Sequence, residues 1–156
     1  MIKNMRHGTG LLSHIHTELS HRSYIFPDLT SDIDLTCQLV AGVSKAFGDW
    51  AELEDSDGNK FTTILASHHV VVSALRIRST SVADKLYIIQ LGYGTTSNDV
   101  TPADTHEFGS GTKHIDSDEQ IRVRPPRILK GQKVYYRMKC ETDSATANIG
   151  LRYHYY

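Results

Sequence analysis

His14, His16 and Glu18 are the residues whose types and spacing come nearest to a reactive centre. On an extended chain, side chains at i, i+2 and i+4 point to the same side. Two imidazoles and a carboxylate in that array could hold a divalent transition metal. The competing reading is a histidine-rich segment that makes ordinary polar contacts. His7 and His21 lie close by in the same stretch, and no sustained strand period runs through it.

Other candidate groups have simpler readings. His68 and His69 are adjacent, so on a strand they point to opposite faces and do not converge on one metal. Asp55, Asp57 and Asn59 around Gly58 resemble part of an oxygen-rich calcium loop. The bidentate glutamate that would complete such a loop is missing, so the segment reads as a tight turn. Asp116, Asp118 and Glu119 read as a solvated acidic turn. Gly92 and Gly94 lack the third glycine and the following helix of a phosphate loop. No Gly-x-Ser-x-Gly elbow occurs, and neither Cys37 nor Cys140 carries a nucleophile signature. Arg76, Arg78, Arg122, Arg124, Arg127, Arg137 and Arg152 could form a basic face, but alternation assigns most of them to the wet side of a sheet.

Composition narrows the classes further. The chain has 156 residues, net charge −1, 17 basic and 18 acidic side chains and 39% hydrophobic residues. That length suits one domain with a core of its own. The charge balance gives no reason to expect a nucleic-acid or anionic-membrane partner. No apolar run approaches the ~20 residues of a membrane helix. The basic N-terminus lacks the apolar stretch of a secretory signal. Cys37 and Cys140 both fall in expected strands. Two buried free thiols are expected, with a disulfide across the sandwich as the alternative.

The elements that must position these residues are strands. Residues 132–156 hold two alternating runs. In the first, Val134, Tyr136, Met138 and Cys140 oppose Tyr135, Arg137, Lys139 and Glu141. In the second, Ile149, Leu151, Tyr153 and Tyr155 oppose Gly150, Arg152, His154 and Tyr156. With a polar turn between them, the two runs read as a long antiparallel hairpin with one apolar face. Further strands are expected over 33–40, 49–54 (anchored by Trp50), 61–66, 69–78, 85–93, 106–108, 113–115 and 119–124. Ala74 interrupts the alternation in the 69–78 segment. Residues 94–105 read as a polar loop, and Pro125-Pro126 ends a strand at an edge or corner. About eight short strands with regular turns indicate an all-β fold, an antiparallel β-sandwich of jelly-roll type over residues 31–156. Residues 1–30 read as an extended N-terminal arm. Leu11, Leu12, Ile15, Leu19, Tyr24, Ile25 and Phe26 supply apolar anchors against a neighbour or a partner; a short amphipathic helix over 9–19 is the alternative.

Two resemblances follow from these residues. The segments His21–Pro27, Gly48–Leu53, Leu86–Tyr93, Gly131–Tyr135 and Gly150–Tyr156, over most of the chain, resemble tailed-phage jelly-roll capsid decoration (cement) or head-associated proteins. That resemblance implies a non-enzymatic virion structural protein without cofactors, made in the host cytoplasm. It implies an assembly on the capsid surface, commonly a homotrimer, whose partners are the major capsid protein and its own neighbouring copies. Leu11, Leu12, Ile15, Leu19, Tyr24 and Phe26 would be the contacting residues of the arm. Deleting residues 1–26 is then expected to leave a folded domain that binds the capsid much more weakly. The His14/His16/Glu18 array is similar to the His-x-His…Glu motif of the cupins, but its glutamate comes too soon and the motif precedes the β domain. A cupin-like metalloenzyme and a receptor- or glycan-binding head domain of a phage fibre are the alternatives. The latter requires exposed aromatics, with Tyr93, Phe108 and the terminal tyrosines as candidates.

Overall fold

The computed structural model describes residues 22–30, 32–111, 120–124 and 126–155. Among these residues the chain runs β1 (Ser23–Phe26), β2 (Cys37–Val40), β3 (Ala51–Glu52), α1 (Thr62–Leu65), β4 (Val70–Thr80), β5 (Leu86–Gly94), β6 (Thr101–Gly109), β7 (Gln120–Arg122), β8 (Lys133–Cys140) and β9 (Thr146–Tyr155). The expected strand over 113–115 lies outside the described residues.

All strand pairings are antiparallel, and they nest. β5 pairs β6, β4 pairs β7, β3 pairs β8 and β2 pairs β9. This is one long eight-stranded hairpin, rolled up so that β4 meets β9 and β5 meets β8. One sheet has the order β1-β9-β4-β7, with β2 also on β9; the other has the order β3-β8-β5-β6. The result is the double-sheet jelly roll. The sandwich reading therefore holds, with nine strands among the described residues.

The nesting corrects the expected C-terminal hairpin. β8 and β9 lie in opposite sheets, and residues 141–145 cross the sandwich between them. The alternation was real, but its apolar faces look at each other across the core. Val134, Met138 and Cys140 come from one side and Ile149, Leu151 and Tyr153 from the other. A hairpin would have put all six on one face and left another element to cover them.

Three more expectations change. Residues 61–66 form the turn of α1, which spans the gap between β3 in one sheet and β4 in the other; Phe61 and Leu65, four apart, both point into the core. β6 begins at Thr101, inside the expected polar loop. It is an edge strand carrying Pro102 and an irregularity opposite Leu91 and Gly92, so an apolar alternation was never required of it. Finally, Tyr24 and Phe26, expected as anchors of the extended arm, are part of the sandwich itself. They sit in β1, paired to β9 from Ser23–His154 to Phe26–Leu151.

Ala74 has a simple explanation. Val70 and Val72 face the core, and so do Leu75 and Ile77, which have the opposite parity. A register shift between Val72 and Ala74 makes the change. Ser73, the extra residue, is held by its own polar groups. Its carbonyl accepts from the Val123 N–H at 3.1 Å, and its hydroxyl donates to the Arg152 carbonyl at 3.3 Å.

Candidate functional site

The outward face of the β3-β8-β5-β6 sheet carries an organised group of polar and aromatic side chains. Arg137, Gln90 and Thr105 stand opposite one another on β8, β5 and β6 and so form one row across three strands. The row is hydrogen bonded along its length. Arg137 Nε donates to Gln90 Oε1 at 2.7 Å, and Gln90 Nε2 donates to Thr105 Oγ1 at 2.9 Å. The guanidinium also lies over two rings, 4.8 Å from the centroid of Phe47 and 4.5 Å from that of Trp50; Lys139 Nζ lies 4.9 Å from the Phe47 ring. Each such contact contributes roughly 0.5–1 kcal/mol at a partly exposed site. Together they hold a cation and two rings in fixed positions on the surface.

The loop that carries Phe47 is built for this. The Gly42 and Gly48 N–H groups both donate to the Met138 carbonyl, at 3.0 and 3.3 Å, which closes residues 42–48 into a compact excursion beside β8. A β-carbon on Gly42 would meet Gly48 N at 2.5 Å and Ala46 O at 2.6 Å, so the two ends approach as closely as only glycine permits. Trp50, expected as the apolar anchor of the 49–54 strand, is not among the core residues. Its ring reaches the gap over Gly92, where an added β-carbon would lie 3.1 Å from Trp50 Cη2 and 2.4 Å from Val100 Cγ1.

Beside the row is a shallow depression of about 190 Å³, lined by Leu86 and Ile88 with Lys45, Lys139 and Glu141 at its rim. Glu141 accepts the Leu86 N–H at 2.9 Å. This face offers fixed cations, ring surfaces and an apolar floor. It has the chemistry of a contact surface.

Other charged groups fasten loops to strands. Glu52 meets Lys133 at 2.9 Å and Lys60 at 3.4 Å, and accepts the Thr62 hydroxyl at 2.6 Å. Burial pushes its carboxyl up, but the Thr62 and Lys133 hydrogen bonds outweigh it and hold the group below its ordinary range. Asp104 accepts the Arg124 N–H at 2.7 Å and lies 3.0 Å from His106 Nε2, tying the β6 edge of one sheet to the end of β7 in the other. Here too burial raises the carboxyl, and its donors bring it below the usual value.

The residues singled out in the sequence separate into groups. Leu11, Leu12, Ile15 and Leu19, together with His14, His16 and Glu18, lie outside the described residues, as do Asp116, Asp118 and Glu119. Tyr24 and Phe26 enter an aromatic cluster. Phe26 meets Phe61 edge-on at 5.2 Å, Phe61 meets Tyr153 edge-on at 5.2 Å, and Tyr24 stacks on Tyr153 at 5.6 Å and lies 4.5 Å from Tyr155. His68 packs on Tyr155 at 4.3 Å, while His69 Nδ1 accepts the Lys130 N–H at 2.9 Å. Asp55 accepts the N–H groups of Asp57 and Asn59 and the Asn59 amide, and Gly58 takes a positive φ of 80°. The carboxylate thus organises a turn. Among the described residues, no three His, Cys, Asp or Glu come together as a metal cluster. Cys37 and Cys140 are free and buried.

Of the aromatics expected to mark a glycan surface, Tyr156 lies outside the described residues and the others are turned to the core. Phe108 is buried against Tyr87 at 5.2 Å, Tyr153 is buried, and Tyr93 and Tyr155 pack on the core. The outward rings are Phe47 and Trp50. The signal for them was faint: an arginine at a wet position of a strand, and a tryptophan that follows an aspartate. No helix among the described residues is long and apolar enough to cross a membrane. No protein-family model matches the chain, and no curated protein or solved structure matches it.

Proposed function

We propose that this chain is a non-enzymatic assembly protein, a virion structural protein that decorates and stabilises a phage head as a homotrimer. The observation that carries the reading is the seating of β1. The segment before residue 22 joins the domain through a strand locked to β9 by four residue pairs and by the rings of Tyr24 and Phe26. Whatever the preceding residues grip is therefore coupled to the sandwich, which is what an anchoring arm requires. Exposed apolar residues add support. Ile33 and Val40 lie on or just before β2, beside β9 on the same sheet edge as β1, and Val43 follows in the loop. Exposed apolar side chains of this kind suit contact with a neighbouring copy.

The experiment compares the full chain with a chain beginning at Arg22, each added to particles of the encoding virus that lack the protein. The full chain is expected to be a trimer by native mass spectrometry and to saturate the particles; the shortened chain is expected to fold but bind weakly. Equal occupancy by the two chains would refute the role of the arm, and absence of the protein from purified virions would refute the reading as a whole. The Phe47–Trp50 surface favours one alternative, a glycan-binding fibre head. Glycan-array binding lost on Trp50→Ala would select it.

A further inference from the structure

The opposite sheet carries a different surface. Its five strands contain Arg76, Arg78, Arg122, Arg152 and His154 and no aspartate or glutamate, although the whole chain has a net charge of −1. Arginines on neighbouring strands of one face repel one another, and a bound anion relieves that repulsion.

The register places two of these arginines around one small residue. Ala74 on β4 pairs with Arg152 on β9 at one side and with Arg122 on β7 at the other. The adjoining row, Leu151–Leu75–Ile121, faces the core. Arg152, Ala74 and Arg122 therefore share the outer face, with the two arginine α-carbons roughly 10 Å apart, two strand spacings. Ala74 is only 4% exposed despite facing outward, so the side chains around it close over its methyl group. Arg152 Nε is buried and makes no hydrogen bond. A buried guanidinium N–H is a strong donor that native structures almost always satisfy with protein, water or an ion. Arg78 is committed elsewhere, since its Nη1 donates to the Leu35 carbonyl at 2.8 Å.

We infer that this face binds a phosphate-type oxyanion over Ala74, gripped from its two sides by the guanidinium groups of Arg152 and Arg122. A tetrahedral dianion presents oxygens to both flanks at once, and arginine's fork of N–H donors matches it. A planar carboxylate has two oxygens and fits a single guanidinium better than a pair on opposite sides. The site is independent of the assembly role and lies on the other sheet from the Arg137 row.

The test is a titration of the full-length protein with inorganic phosphate at constant ionic strength, following the Arg152 Nε–Hε resonance by NMR. A saturable shift is expected for the wild type. Arg122→Gln, at an exposed position, keeps the fold and weakens phosphate binding by about tenfold, the loss of one charge-assisted contact. Ala74→Leu pushes the two guanidinium groups apart and abolishes the shift. A tetra-aspartate peptide, titrated in parallel, is expected to bind less well. The inference is overturned if phosphate gives no saturable shift, if chloride at equal ionic strength reproduces it, if Arg122→Gln binds as the wild type does, or if the peptide alone binds.

Discussion

Replacing Phe26 with alanine tests whether β1 belongs to the domain. Phe26 is 6% exposed, and its ring meets Phe61 at 5.2 Å and 79°. Truncating a buried phenylalanine costs about 3–5 kcal/mol, the sum of lost transfer energy and the cavity left behind. The edge-to-face pair accounts for about 0.5–1.5 kcal/mol of that. Because β1 lies at the edge of its sheet, water can enter part of the space, so the lower end, about 3 kcal/mol, is expected. That is a large part of a typical stability of about 5–15 kcal/mol. With a urea m-value of roughly 2 kcal/mol/M, the midpoint should fall by about 1.5 M. The assay is urea unfolding followed by circular dichroism, at one fixed protein concentration because assembly would itself shift the midpoint. A fall of less than about 0.5 M, equivalent to about 1 kcal/mol, would mean that the ring is not seated as described. The same measurement distinguishes two truncations. A chain beginning at Arg22 should match the full chain, whereas one beginning at Pro27 loses β1 and should be destabilised at least as much as Phe26→Ala. The cut after residue 26 that the sequence suggested therefore removes part of the fold.

Gly42→Ala forces a β-carbon to within 2.5–2.8 Å of backbone atoms of residues 46–48, and it should cost roughly 1–3 kcal/mol; hydrogen exchange should show lost protection at Gly42 and Gly48, and unchanged protection would contradict the close approach. Burial pushes the Cys37 thiol well above its ordinary range, so neither this residue nor buried Cys140 should react with a thiol reagent until urea unfolds the chain, and fast labelling of native protein would show the core to be open. Asp99 is held down to about 2 by the Thr95 hydroxyl and the Thr96 N–H. Because its folded value is depressed, its contribution to stability is present above the ordinary value of 3.8 and is lost as pH falls from there towards about 2. An NMR titration should give a midpoint near 2 for the wild type, and a midpoint near 3.8 would refute the loop geometry.

For the regularly alternating strands identity was a local property and could be read from the chain, whereas the helical turn α1 and the edge strand β6 could not. In β8 and β9, side chains alternate every second residue because the pleat demands it, and Val134, Met138, Ile149 and Leu151 announced an apolar face before any partner was known. The turn at Asp55–Asn59 was equally plain, since Gly58 supplies a positive φ and Asp55 bonds its own loop. Pairing was not local. Whether β9 meets β8 beside it in sequence, or β2 more than a hundred residues away, depends on which apolar faces can cover each other, and that is settled only when all strands compete for partners. The same competition turned the root of the arm into β1 and put Ser73 into a bulge that reverses the parity of β4. It also set Trp50 and Arg137 together on an outer face, and flanked Ala74 with Arg152 and Arg122 drawn from three strands. The residue types determined that this chain would be a two-sheet β protein with polar outer faces; the rolled-up pairing decided which of its cations stand next to one another, because only the register brings distant strands side by side.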